Sequence, residues 1–212
     1  MMSAYDELMA FQRETEALEQ VAGRLGWDQE TMMAHGSTPQ RAEEHGAMAN
    51  ILHARHTDPR IGEWLEKAEA ADEVAAANLR AIRREYDRMT KVPARLAAEL
   101  AKTRSLAHRV WAQARQDEDV PAFLPMLEKI VALRREEAAA VAGNADPYDA
   151  LLDDYEPGAT GASLAAMFDA LRPRLVDLRA AVLDAKAPAR LTGEYDEAGQ
   201  LALSKELALA VG

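Results

Sequence analysis

The sequence predicts an all-α protein, an array of long antiparallel helices joined by short loops. Three observations carry this expectation. Of the 212 residues, 49% are hydrophobic but only 5% aromatic, and the apolar share is dominated by Ala and Leu, which favour helix. Runs of Val, Ile, Thr and Tyr alternating with polar residues, the mark of half-buried strands, are missing. Apolar residues recur instead at three- and four-residue steps, between short breaks rich in Pro, Asp and Gly. A chain of this length forms one domain, or a domain and a half, with a real core.

The first helix starts at Ser3, a good N-cap, and carries Leu8, Phe11, Leu18, Val21 and Leu25 on one face. It ends before the loop Ala34-His35-Gly36-Ser37. Thr38-Pro39 reads as an N-cap followed by proline in the first turn, where the missing N–H costs nothing. That second helix directs Met48, Ile51 and Leu52 to the core and stops near His56. Asp58-Pro59 repeats the start signal for a shorter helix with Ile61, Trp64 and Leu65.

A further helix runs from about Asp72 to Met89 on Val74, Leu79, Ile82 and Tyr86, and Val92-Pro93 breaks it. Leu96, Leu100, Thr103, Ala107 and Val110 mark the next, with a period suited to an antiparallel neighbour. Pro121 opens another, with Phe123, Leu127, Ile130 and Val131 as its stripe. Asn144-Ala145-Asp146-Pro147 is the best candidate boundary in the chain. A short turn through Leu151-Leu152 follows, then the turn signal Glu156-Pro157-Gly158. Ser163 is the expected cap of a long helix holding Leu164, Phe168, Leu171, Leu175 and Leu178, kinked at Pro173. A final helix runs from near Asp196 to Val211, with Gly212 as its terminal glycine.

The 36 acids against 25 bases give a net charge of −11, which speaks against nucleic acid as a partner. Arg80-Arg83-Arg84 and Arg134-Arg135 are each followed by Glu and read as solvated helix faces, not phosphate tracks. There is no cysteine, so disulfides, thiolate metal sites and Cys nucleophiles are excluded. The N-terminus has no secretory pattern, and no apolar run reaches the roughly 20 residues that span a bilayer. A cytoplasmic protein with no membrane partner is expected.

Catalytic chemistry is hard to place. No two of His35, His45, His53, His56 and His108 have the i, i+4 spacing of H-E-x-x-H, and no Glu lies three residues before a His. His53 and His56, at i, i+3 with Asp58 near, offer a metal pair; the plainer reading is two exposed histidines at a helix end. Neither phosphate-binding glycine motifs nor a G-x-S-x-G elbow is present. Asp153, Asp154 and Glu156 are too close in sequence to face one another across a cleft, so solvation or turn capping is expected. In Trp27-Asp28-Gln29-Glu30-Thr31-Met32-Met33, the residues alone favour Trp27 as an anchor and Met32 and Met33 as gap-fillers, over a substrate groove.

Leu25-Gly26-Trp27-Asp28-Gln29-Glu30-Thr31-Met32-Met33, Gln40-Arg41-Ala42-Glu43-Glu44, His53, Thr57-Asp58-Pro59 and Ile61-Gly62 occur in one order. Tyr148-Asp149-Ala150-Leu151-Leu152-Asp153-Asp154-Tyr155-Glu156-Pro157-Gly158 follows them. Together they resemble the carboxypeptidase Taq family of zinc metallocarboxypeptidases, over essentially the whole chain. Ala34 departs from the pattern, since relatives usually carry Pro there.

The resemblance implies a larger helical metallopeptidase fold with a deep groove, usually a homodimer. It implies removal of C-terminal amino acids from peptides by a metal-activated water. Residues 1–143 are then the helical array that walls or covers the groove, and residues 144–212 begin the next lobe. The zinc ligands, the general base and the arginines that hold the substrate carboxylate lie C-terminal to the matched region in that family. No catalytic or metal residue is therefore carried over, and no cofactor is expected in this chain, with zinc or another divalent metal belonging to the complete enzyme. Trp27, Asp28 and Gln29 are the expected groove-lining residues. The expectation is an N-terminal part, inactive alone; the alternative is a natural short relative acting as a peptide-binding or dimerisation module.

Overall fold

The computed structural model describes residues 2–190 and 192–212. Among them are nine α-helices, one 3-10 turn at His35–Ser37 and no strand. Contacts divide the chain into two compact units, Met1–Gly161 and Ala162–Gly212.

In the first unit, α1 (Ala4–Thr31) opens with a capping box: Asp6 N donates to Ser3 Oγ (3.1 Å) and Ser3 N to Asp6 Oδ2 (3.3 Å). Leu8, Phe11 and Thr15 form its buried face; Val21, expected in that stripe, is exposed. Helix α2 (Thr38–His56) starts at Thr38, the expected cap, so that Ser37 takes the cap position and Thr38 Oγ1 donates instead to His35 O (3.1 Å).

The buried residues of α2 are Thr38, Ala42, His53 and His56, whereas Ile51 faces out. The reason is the neighbour. Helix α2 packs chiefly on α5 (Ala94–Gln116), and a Cβ on Gly46 would sit 3.9 Å from the Ala98 carbonyl. Small residues at this crossing bring the backbones close and leave the bulky ones outside.

Asp58 caps α3 (Pro59–Lys67) through Arg60 N (2.9 Å), and Asp72 caps α4 (Glu73–Met89) through Ala75 N (2.7 Å). Ala75, not Val74, faces inward there. Leu8, Phe11, Ile61 and Leu65 form one core cluster with Trp64, Leu79, Ile82 and Tyr86 packed around it. A second joins Val92, Leu96 and Leu100 to Leu133 and Val141 of α6 (Val120–Ala142).

The break at Asn144–Pro147 is the loop from α6 to α7 (Pro147–Leu152), and α7 packs back on α6, so the unit continues to Gly161. Gly158 has φ +82°, and Ala159 N donates to Glu156 O (2.9 Å). This is a turn that needs glycine at its third position.

The second unit contains α8 (Gly161–Asp184) and α9 (Glu197–Val211, capped by Asp196). Helix α8 begins two residues before Ser163, its expected cap, and runs through Pro173 without a break. Neither helix has a buried residue. Among the described residues no helix is long and apolar enough to cross a membrane.

Candidate functional site

The last turns of α1 carry the first cluster singled out in the sequence. Trp27 is 62% exposed and Met32 72% exposed, while Met33 is half-buried. The anchor reading of Trp27 and the gap-filler reading of Met32 are therefore corrected: among the described residues this face of α1 has no neighbour that covers them. Asp28 is committed to structure, because Arg41 Nη2 donates to its Oδ2 at 2.5 Å. The same guanidinium donates to Glu44 Oε2 (2.7 Å) and to Leu25 O (2.5 Å). Two separate sequence motifs, one on α1 and one on α2, are thus halves of a single clamp.

Gln29 is tied to α5. Ser105 Oγ donates to Gln29 Oε1 (2.5 Å), and Gln29 Nε2 donates to Ser105 O (3.5 Å). Beside this link lies a cavity of about 390 Å³ lined by Gln29, Glu30, Met33, His35, His108, Arg109 and Gln113, among others. Arg109 has no acidic partner within ion-pair distance among the described residues. Asp28 lines a separate, smaller cavity with Met33, Gln40 and Arg41. Sequence spacing missed His108 and Arg109, because nothing local marks a residue on α5 as facing the end of α1.

The Tyr148–Thr160 segment is held to α4 by its acids. Asp153 Oδ2 accepts from Arg84 Nη2 (2.7 Å), and its Oδ1 accepts from Gly158 N (2.8 Å). Those contacts, the Gly158 amide first and Arg84 next, hold the Asp153 carboxyl below the usual carboxylate range. Asp154 pairs with Arg88, which also donates to the buried Glu137 at 3.1 Å. Capping by Asp153 was legible in the sequence. Its arginine partner was not, and Arg84 is not a merely solvated face.

The histidine pair also departs from expectation: His53 and His56 are both buried. His53 Nε2 donates to Val92 O (2.6 Å), and Asp58 is taken up by Arg60, so these three do not share a metal. His56 instead stands between Glu19 of α1 (Nε2 to Oε1, 3.0 Å) and Glu85 of α4 (Nδ1 to Oε1, 3.5 Å). Burial raises the Glu19 carboxyl above its ordinary range, His56 draws it down, and Glu85 adds to the rise.

An all-α chain with paired helices and a polar cavity is the class that these features define, and known proteins refine it. The structure resembles that of Pyrococcus furiosus carboxypeptidase (TM-score 0.78, 25% identity, 99% of this chain and 44% of that one). It also resembles Trypanosoma cruzi metallocarboxypeptidase 1 (TM-score 0.72, 28% identity, 96% of this chain and 43% of that one). A thermostable carboxypeptidase 1 of Thermus thermophilus is 42% identical over 191 residues, 83% of this chain and 38% of the relative. The family model described as carboxypeptidase Taq (M32) metallopeptidase matches residues 7–212. The chain belongs to that family, and it spans well under half the length of the curated relatives it matches.

The family is one of metallopeptidases, whose chemistry requires a set of metal-ligating side chains. Among the described residues, Glu19, His56 and Glu85 form the one grouping able to hold a metal ion. It holds a single histidine, at a helix end, and lacks the second imidazole of a H-E-x-x-H helix. These residues do not fit the hydrolytic centre that the resemblance implies.

Proposed function

We propose that this chain is the N-terminal helical part of a metal-dependent carboxypeptidase, supplying a wall of its peptide groove and not its hydrolytic centre. The observation that carries this reading is the pairing of a family match over residues 7–212 with a sequence that contains no H-E-x-x-H. Without such ligands no Lewis acid lowers the pKa of an attacking water in the family's manner. The complete enzyme works in the cytoplasm on peptides, releases C-terminal amino acids and pairs as a homodimer.

In this reading Trp27 offers an aromatic face to a peptide and Gln29 a polar one, with Asp28 fixing both through Arg41. Residues 1–143 form the wall, and residues 144–212 lead into the next lobe. Titration with a short peptide, followed by tryptophan emission, tests the wall. A saturable change that Trp27→Phe removes is expected, and a flat titration contradicts it. A second reading, a short relative acting as a binding or dimerisation module, is favoured by α8. Phe168, Leu171, Leu175 and Val176 form an exposed apolar strip there. Self-association in sedimentation would support that reading, and a strict monomer with no peptide affinity would end it.

A further inference from the structure

Away from the Gln29 cavity, three helices bring metal-ligating side chains together. One ligand atom each from Glu19, His56 and Glu85 lies within 4.8 Å of the other two. All three side chains stand on helices, α1, α2 and α4, whose backbones fix their approach. His56 is buried, whereas Glu19 is partly and Glu85 well exposed. A cavity of about 370 Å³ opens beside them, lined also by Arg13, Glu16 and Asn78, and gives a hydrated ion a route in.

The local charge favours a cation. Glu16, Glu19 and Glu85 stand against His56 and Arg13. Arg55, next to His56 in sequence, contributes little to the balance, because Phe11 O, Thr15 Oγ1 and Glu14 occupy its guanidinium.

We propose that His56 and Glu19 ligate a divalent transition-metal ion, with Zn²⁺ as the reference case, at a site separate from the family's hydrolytic centre. Glu19 stands at Nε2, so that nitrogen and the carboxylate face the ion together. Glu85 Oε1 lies 3.5 Å from Nδ1, placed to hold that N–H and with it the tautomer and the ring, in the manner of a carboxylate–histidine–metal relay. Waters fill the remaining positions. The imidazole–carboxylate donor set suits Zn²⁺ and its neighbours over Mg²⁺ or Ca²⁺. The site ties three helices of the first unit together, and it departs from the expectation of no metal in this chain. That expectation rested on the resemblance and on spacings within single helices, whereas here the two ligands come from α1 and α2 and the orienting carboxylate from α4.

Calorimetric titration of the chelator-stripped chain with ZnCl₂ near neutral pH is the test. One-to-one, submillimolar binding is expected, with Co²⁺ giving a visible absorption band at the same stoichiometry. Glu19→Gln is expected to weaken binding at least tenfold. Glu85→Gln is expected to cost about 10–100-fold, as for a group that orients a ligand. Both variants change partly exposed side chains, and circular dichroism shows whether each is folded. Absence of saturable binding, or equal affinity in a folded Glu19→Gln variant, overturns the proposal. Zinc bound without peptide hydrolysis leaves the groove-wall reading intact, so the two fail separately.

Discussion

Arg41 is the side chain on which the end of α1 most depends. Its side chain is 12% exposed, and its guanidinium satisfies Asp28, Glu44 and Leu25 O at once. Arg41→Met removes charge-assisted hydrogen bonds and leaves a carbonyl short of a donor; a loss of about 2 kcal/mol in urea unfolding is expected. Asp28→Asn keeps a partner for Arg41 and is expected to cost under about 1 kcal/mol. Equal losses in the two variants would contradict the clamp. Asp153 gives a pH dependence. Its carboxyl is depressed below the reference 3.8 in the folded chain, so the unfolded state binds the proton more readily. The stabilisation is therefore full above that reference value and disappears as pH falls through the depressed folded one. Acid titration of stability should be shallower in Asp153→Asn than in the parent chain, and parallel curves would refute the assignment.

At the scale of elements, helix starts were the most legible feature of the sequence. Ser3 and Asp58 cap the helices they were expected to start, and Asp72, Asp146 and Asp196 cap helices expected to begin near them, because a cap is a local bond between near neighbours. Inward faces were less legible. Ala75 displaces Val74, and His53 displaces Ile51, because the inward direction is set by which helix lies opposite and how close it comes. The same holds for function. The Asp28 and Gln29 motif was visible as a motif, but Ser105, His108 and Arg109 come from α5, some 76 residues away in the Gln29–Ser105 link. The α5–α6 core supplies its own check. Leu96 is fully buried among Val92, Leu100 and Leu133, so Leu96→Ala should cost about 2–5 kcal/mol through lost burial and a residual cavity. A loss below about 1 kcal/mol in chemical denaturation would mean that α5 is not packed as described.

At the scale of the whole molecule, every residue named as buried lies in Met1–Gly161, and α8 and α9 add none. Among the described residues, the core that drives cooperative folding is thus confined to the first unit. A chain ending at Gly161 should keep a cooperative melt close to that of the full 212 residues, whereas a broad or absent transition would show that Ala162–Gly212 is needed for folding. The clamps at Arg41 and at Arg84 and Arg88 join motifs that are distant in sequence into one scaffold. That scaffold carries the family's features without the donor set of its hydrolytic centre. Release of C-terminal amino acids from a peptide by the purified chain, with zinc or cobalt supplied, tests this directly. No release above the blank is expected, and release that a chelator abolishes would contradict a chain without that donor set.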